Sequence, residues 1–186
     1  MVNFYVINLD KDRDRWAKQK PELEKAGIQP IRVPGIMYDE VTEEQKNKYF
    51  SKFCKYTCPK SVIGSGYAHL NAMRIFYETD PNDICIILED DAYPKFKDVS
   101  IVMDFIKNTL PPTSEWDMCL LHCDGTCPFN KNKRYLPTGI ASGSVAGYVI
   151  TKRGAKYLLD GNHKLLSYFD MSTNLDSNFI KKKLIS

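Results

Sequence analysis

The chain has 186 residues, of which 43% are apolar and 12% aromatic, and its formal net charge is +3. That length supports one domain with a hydrophobic core rather than two, and the apolar content excludes an intrinsically disordered chain. The charge is small and its basic residues are spread along the chain, which excludes a nucleic-acid-binding protein.

Apolar periodicity predicts alternating strands and helices. The predicted strands cover residues 4–9, 28–33, 84–88, 116–122 and 144–150. The predicted helices cover residues 11–26, 40–53, 67–79, 100–110 and 152–159. Asp10 is expected to cap the first helix, Pro21 to kink or restart it, and residues 55–66 to form a loop. This alternation is typical of an α/β domain with a mainly parallel central sheet flanked by helices.

The acidic triplet Glu89, Asp90 and Asp91 directly follows the unbroken apolar run Ile84–Leu88. Such a run indicates a strand buried on both faces, and ligands of open α/β sheets bind at the carboxyl ends of their strands. Adjacent carboxylates repel one another, and a hard divalent cation relieves that repulsion while holding a diphosphate. The triplet therefore predicts a metal–nucleotide site, with a solvated acidic turn as the alternative.

His69 lies on the predicted helix 67–79 and shares one face with Met73 and Phe76. This spacing leaves two interpretations open. His69 contacts metal, phosphate or acceptor, or it is a hydrogen-bonded histidine of the core.

Neither a membrane span nor a secretion signal is predicted. No stretch approaches the roughly 20 apolar residues of a membrane helix, and the N-terminus lacks the charged and small-residue regions of a signal peptide. We therefore expect a single cytoplasmic domain over residues 1–186. The cluster Lys181–Lys183 is expected to bind an anionic membrane surface only weakly.

Four segments together resemble glycosyltransferase family 25, which contains lipopolysaccharide-biosynthesis galactosyltransferases and procollagen galactosyltransferases. They are Phe4–Asp10 with Asp14 and Arg15, Gly64–Leu70, Ile86–Ala92 and Gly147–Ala155. Their order and spacing fit the family across nearly the whole chain. Two positions depart from it, since Ser65 replaces the usual cysteine and Ala68 the usual serine before the histidine.

The resemblance implies a GT-A fold, a UDP-sugar donor (UDP-galactose above all), Mn²⁺ or Mg²⁺, and inverting transfer to an acceptor hydroxyl. It also implies that the end of strand 1, with Asn8, Leu9, Asp10 and Arg15, holds the nucleotide. For Asp10 and Arg15 the alternative is a helix cap and a solvated helix residue.

The residues of the triplet receive separate roles. In an extended segment Glu89 and Asp91 point one way and Asp90 the other. Asp91 is therefore expected to bind the metal, with Glu89 or Asp90 assisting. One of these two neighbours is expected to face the ribose or the sugar. Asp90 is also a candidate catalytic residue.

Inverting transfer also needs a general base to take the acceptor proton. Asp170 resembles a late family aspartate, Asp176 is its rival, and a helix cap is the alternative for either. Three aromatic residues are candidates for a platform that stacks on sugar or uracil or for the core, and two polar residues lie at the end of the strand 116–122, on the expected ligand side. These are Tyr148, Tyr168, Phe169, His122 and Asp124.

Two functions from different classes compete. The first is a glycosyltransferase that moves a hexose to a glycan or to a hydroxylysine-bearing acceptor. The second is a non-catalytic nucleotide- or glycan-binding module on a transferase fold, which Ala68 keeps open.

Overall fold

The computed structural model describes residues 2–121, 146–161, 164 and 165, and the backbone of residues 184 and 185. Its strands are β1 Asn3–Asn8, β2 Pro30–Pro34, β3 Ile84–Glu89, β4 Met118–Leu120, β5 Gly147–Thr151 and β6 Leu184–Ile185. Its α-helices are α1 Arg13–Lys25, α2 Glu43–Tyr49, α3 Lys52–Thr57, α4 Lys60–Thr79, α5 Ser100–Asn108 and α6 Lys152–Leu159. Among these residues no helix is long and apolar enough to cross a membrane.

The strands form one sheet in the order β2-β1-β3-β5-β4-β6. β1 runs parallel to β2 and β3, whereas β5 runs antiparallel to both of its neighbours, β3 and β4. The sheet is therefore mixed, and the expected mainly parallel arrangement is correct only around β1 and between β4 and β6.

Both faces of the sheet are covered, as the apolar β3 sequence predicts. On one face Cys85 and Ile87 pack with Met73 and Phe76 of α4. On the other face Ile86 of β3 packs in a cluster that includes Leu23 of α1 and Val102 of α5. The alternation of β3 thus places α4 on one side of the acidic triplet and α1 on the other.

The first helix differs from its prediction at its start. A 3₁₀ turn covers Asp10–Asp12, and α1 begins at Arg13 without a side-chain cap. Asp10 is not a helix cap, because its carboxylate accepts hydrogen bonds from Arg13 and Arg32 instead. α1 runs through Pro21 without restarting, and Gly27 follows its end with φ = 81°, as a helix-terminating glycine does.

The predicted loop 55–66 is wrong over most of its length, because α3 extends to Thr57 and α4 begins at Lys60. Close tertiary contacts explain why glycine occupies two positions of α4. A Cβ on Gly64 would lie 2.7 Å from the Ile36 carbonyl oxygen, and one on Gly66 would lie 3.2 Å from the Phe50 ring. Glycine lets α4 approach its neighbours here, although it weakens a helix.

The segment 147–155 builds the β5–α6 corner. Thr151 caps α6 by accepting a hydrogen bond from the Gly154 amide at 3.0 Å, as its position before the helix predicts. A Cβ on Gly154 would lie 2.6 Å from the Asp117 carbonyl oxygen, and the Arg153 Nε atom donates to Asp117 Oδ1 at 2.6 Å. This family-like segment therefore holds α6 against the start of β4.

Candidate nucleotide and metal site

The acidic triplet lies beside the end of β1 at the carboxyl edge of the sheet. β1 and β3 are parallel neighbours, and their register pairs Ile7 with Glu89. The residues that follow each strand therefore meet, which brings Asn8 to Asp90. The prediction that the β1 exit and the acidic triplet belong to one site rests on this property of parallel strands.

Asn8 and Arg15 both hold Asp90. The Asn8 Nδ2 atom donates to Asp90 Oδ2 at 2.8 Å, and Arg15 Nη1 lies 3.3 Å from Asp90 Oδ1. Asn8 is buried, whereas the Arg15 side chain is exposed over 55% of its surface. Arg15 is therefore available to an anionic ligand at this edge, and Asp90 faces the β1 exit.

Arg32 of β2 fixes the same exit from the opposite side. Its Nε donates to Asn8 Oδ1 at 2.9 Å, and its Nη2 donates to the Asn8 carbonyl at 3.0 Å and to Asp10 Oδ1 at 2.6 Å. The hydrogen bonds from Arg32 and Arg13 lower the pKa of Asp10. Leu9 packs its side chain against Gly35, where an added Cβ would lie 2.9 Å from Leu9 Cδ2.

Glu89 is held by a buried pair on the α4 side. His69 Nε2 lies 3.2 Å from Glu89 Oε1, and His69 Nδ1 lies 3.0 Å from the Tyr148 hydroxyl. The bond from His69 lowers the pKa of Glu89. The ionised Glu89 carboxylate only accepts, so the His69 Nε2 atom carries the proton of this hydrogen bond.

The interpretation of His69 as a hydrogen-bonded core histidine is confirmed, and its contact with metal, phosphate or acceptor stays a prediction. The side chain is 1% exposed and belongs to the interior, yet it contacts a carboxylate of the acidic triplet. Tyr148 is fully buried, so a stacking platform for sugar or uracil at this residue is wrong and its place in the core is confirmed.

Asp91 stands apart from its two neighbours. It is exposed and, among the described residues, makes no hydrogen bond or ion pair to another side chain. Partial desolvation and the charges of Glu89 and Asp90 raise its pKa. This is the carboxylate whose charge is least compensated, and a cation beside it would relieve the repulsion.

The expected alternation along the triplet is wrong, because the strand ends at Glu89 and a turn follows. The Ala92 amide donates to the Glu89 carbonyl at 3.1 Å and closes this turn. Side-chain direction therefore no longer alternates over Asp90 and Asp91. The three carboxylates take separate directions: Glu89 towards α4, Asp90 towards β1 and Asp91 to the surface.

Gln19 of α1 holds the turn from the face opposite His69. Its Nε2 donates to the carbonyls of Glu89 at 2.7 Å and Ala92 at 2.6 Å. The residue is fully buried, and its Oε1 atom has no hydrogen-bond partner among the described residues. Gln19 thus fixes the two ends of the segment that carries Asp91.

A cavity of about 580 Å³ opens beside the turn. Glu89, Asp91 and Lys95 border it together with apolar residues such as Leu88 and Tyr93. Its volume falls in the range of small-molecule sites. Charged groups at one end and apolar walls at the other suit a ligand with a polar head and a flat apolar part.

The donor set of the turn fits a hard divalent cation. Asp91 and Glu89 offer carboxylate oxygens, the ligands that Mg²⁺ and Mn²⁺ prefer. Within the described part of the chain, no three His, Cys, Asp or Glu side chains converge as a metal site. One or two carboxylates plus phosphate oxygens are the usual ligands of Mg²⁺ in nucleotide sites, so the turn meets that pattern.

Several predicted residues fall outside the described ranges. They are His122, Asp124, Tyr168, Phe169, Asp170 and Asp176.

Two site residues escaped the sequence analysis. Gln19 carried a signal, because it is three residues after Trp16 and four before Leu23 and so interrupts the apolar face of α1. Arg32 carried none beyond being a charge within a strand. Their roles depend on the β1 and β3 exits, which are distant in sequence.

The family model of glycosyltransferase family 25, described as LPS biosynthesis protein, matches residues 1–173. The chain therefore belongs to glycosyltransferase family 25, a family of sugar-transferring proteins. No curated protein matches the chain significantly.

Proposed function

We propose that this protein is a metal-dependent hexosyltransferase with a GT-A arrangement. It moves galactose from UDP-galactose to an acceptor hydroxyl with inversion at the anomeric carbon. One observation carries this proposal. Asp91 lies at the carboxyl edge of the sheet, where partial desolvation and the adjacent charges of Glu89 and Asp90 raise its pKa. Uncompensated negative charge at that position suits a cation and the diphosphate that it accompanies.

Asp91 and Glu89 would hold Mn²⁺ or Mg²⁺ in this scheme. When bound, the ion supplies Lewis-acid stabilisation of the departing diphosphate. The remaining contributions come from the chain itself. His69 orients Glu89, and Gln19 fixes the turn that presents Asp91.

The nucleotide would lie between the β1 exit and the cavity. Arg15 offers an exposed guanidinium to a phosphate oxygen, and it already lies 3.3 Å from Asp90. Asp90 is held by Asn8 and Arg15, so it would orient ribose or sugar hydroxyls from a fixed position. The apolar walls of the cavity would receive the uracil ring or the hexose face.

The acceptor hydroxyl loses its proton as it attacks the anomeric carbon. We assign the general base to Asp170, with Asp176 as the alternative. For the acceptor, the description of the matching family favours a lipopolysaccharide sugar over a hydroxylysine.

Thermal unfolding with UDP, Mn²⁺ or both tests the nucleotide site. At about 100 times the dissociation constant a ligand adds about 2.7 kcal/mol, which raises the melting temperature of a chain of this size by about 5–10 °C. We expect the full shift only with both ligands and none in Asp91→Asn. Asp39→Asn, at another exposed aspartate, is the matched control.

Turnover separates the enzyme from a binding module. We expect slow release of galactose from UDP-galactose in the presence of Mn²⁺ without acceptor, abolished in Asp91→Asn and strongly reduced in Asp170→Asn. Binding without any hydrolysis or transfer would favour the non-catalytic module. Absence of both binding and hydrolysis would reject a nucleotide-sugar site.

A further inference from the structure

Helix α3 presents two large aromatic side chains to solvent. Phe53 is 67% exposed and Tyr56 is 87% exposed, whereas Cys54 between them is fully buried. Residues three apart on a helix are neighbours, so the two rings share the outward face. Two neighbouring exposed rings form a contiguous apolar patch, and such a patch rimmed by polar residues marks an interaction site.

The surroundings of this face are strongly basic. Residues 45–77 contain six basic residues and no acidic one. Lys52 and Lys55 belong to α3 itself, and the Lys55 ammonium donates to the Asn47 side chain. Lys164 donates to the Asn47 carbonyl at 2.9 Å, which brings a further charge from a distant part of the chain to the same place.

We define the α3 patch by its aromatic and basic members. These are Lys48, Lys52, Phe53, Lys55, Tyr56 and Lys164. Lys48 is exposed and directly follows Asn47, the residue that Lys55 and Lys164 both bond. The patch lies on the α4 side of the sheet, because Cys54 packs in the same core cluster as Met73.

We propose that the α3 patch is a docking surface for a bilayer of anionic lipids. Lysine ammonium groups are attracted to the negative headgroup layer, and each contributes about fivefold to binding. Aromatic rings flanked by lysines insert at the boundary between headgroups and acyl chains. The occupant follows from charge complementarity combined with apolar exposure.

Other polyanions fit the patch less well. Nucleic acid and phosphorylated proteins are preferentially read by arginine forks, and the six patch residues include no arginine. The Phe53 side chain has no polar group with which to bind a sugar. Exposure of its ring to water is unfavourable, and transfer of the ring into an apolar phase removes that cost.

Vesicle co-sedimentation of the full chain tests this surface. Vesicles of phosphatidylcholine with about 30% phosphatidylglycerol are compared with pure phosphatidylcholine. We expect binding only to the anionic vesicles and a marked loss when ionic strength rises from about 0.1 M to about 0.5 M. The double variants Lys52→Gln/Lys55→Gln and Phe53→Ser/Tyr56→Ser should each weaken binding at least about tenfold.

Two control variants remove two and three lysine charges, respectively, away from the α3 patch. Lys18→Gln/Lys25→Gln removes two exposed lysines from α1, on the opposite face of the sheet. Replacing Lys181–Lys183 by glutamine removes the C-terminal lysine cluster. We expect less than about a threefold change in either case. Equal losses in patch and control variants would mean attraction to net charge alone and would overturn the proposal.

Tryptophan fluorescence tests separately whether the aromatic rings of α3 insert into the bilayer. In Phe53→Trp the added fluorescence should shift to shorter wavelength when anionic vesicles are present, after the spectrum of the parent protein is subtracted. An unshifted spectrum would overturn insertion at α3, as would failure of the parent protein to bind anionic vesicles. UDP-dependent thermal stabilisation should stay unchanged in the patch variants, which separates this surface from the nucleotide site.

Discussion

The Asn8 carboxamide donates a 2.8 Å hydrogen bond to Asp90 Oδ2 and thereby joins the ends of β1 and β3. The same Nδ2 atom donates to the Asp12 carbonyl at 2.9 Å, and Asn8 Oδ1 accepts from Arg32. The buried side-chain amide of Asn8 thus pairs with three residues, and the Asn8 backbone carbonyl accepts from the Gly35 amide. Its geometry determines how the acidic triplet faces the β1 exit.

Truncation of this amide should be costly. Asn8→Ala leaves Asp90 and Arg32 with unpaired polar atoms, so we expect the free energy of unfolding to fall by about 1–3 kcal/mol. Urea denaturation measures the change. Asn108→Ala removes an exposed amide that bonds only Asp104 and should stay within about 0.5 kcal/mol. A loss at Asn8 as small as that of the control would contradict the role assigned to it.

Replacement of Gln19 should weaken nucleotide binding while leaving the free energy of unfolding nearly unchanged. Gln19→Leu removes two hydrogen bonds to the turn but also removes the buried Oε1 that has no partner in the described structure. These effects oppose each other, so we expect less than about 1 kcal/mol change in unfolding free energy. The turn loses its clamp, and the dissociation constant for UDP with Mn²⁺ should rise about tenfold or more.

Two substitutions control the Gln19 experiment, which is read by calorimetric titration and urea denaturation. Gln29→Leu makes the same exchange at an exposed position and should change neither quantity. Gln19→Glu sets a carboxylate against two carbonyl oxygens and should destabilise strongly at neutral pH. Unaltered nucleotide binding in Gln19→Leu would show that the turn holds its shape without the clamp.

The chain from Tyr148 through His69 to Glu89 should behave as one unit. In a double-mutant cycle of Tyr148→Phe and Glu89→Gln we expect a coupling energy of about 0.5 kcal/mol or more, because both side chains bond the same imidazole. Tyr5→Phe is the matched control, since Tyr5 is also a buried tyrosine but donates to Asp80. Its cycle with Glu89→Gln should be additive within about 0.5 kcal/mol.

Asp80 should give the protein a pH-dependent contribution to stability at the edge of the sheet opposite the site. Burial opposes ionisation, but bonds from Asn82, Asn3 and Tyr5 together lower the pKa of Asp80. A lowered folded-state pKa stabilises the fold above the unfolded value of about 3.9 and is lost as pH falls through the folded value. Asp80→Asn should therefore be less stable than the parent at pH 7.

The stability gap between parent and Asp80→Asn should narrow steadily below about pH 4, as measured by urea denaturation across the pH range. Asp83→Asn, an exposed neighbour, controls for the general effect of removing a charge. A gap that is independent of pH would contradict a lowered pKa at Asp80.

Local sequence patterns correctly predicted the strand that precedes the acidic triplet and the strand that lies beside it. The apolar run Ile84–Leu88 specified a strand covered on both faces, and parallel pairing with β1 then brought Asn8 to Asp90. Thr151 before α6 likewise acted as the cap that its residue type suggests. These successes rest on interactions between neighbours in sequence or on a general property of parallel strands.

The failures share a tertiary cause. Residues 55–66 are expected to form a loop, yet α4 begins at Lys60 and contains Gly64 and Gly66, where Ile36 and Phe50 leave no room for a side chain. Asp10 suggested a cap, but two arginines take its carboxylate. Gln19 was missed as a site residue because the two carbonyls it binds belong to a turn 70 residues away. No local window contains that information.

The separations along the chain also determine when the acidic turn takes shape. Its contacts to α1, β1 and α4 bridge 70, 82 and 20 residues, and the imidazole beyond Glu89 reaches a further 79 residues to β5. Long-range contacts form late, since loop closure must precede them. During synthesis the hydrogen bond between His69 and Tyr148 therefore forms only after β5 has left the ribosome, later than the contacts of the turn to α1, β1 and α4. The support behind Glu89 is the last part of this region to assemble.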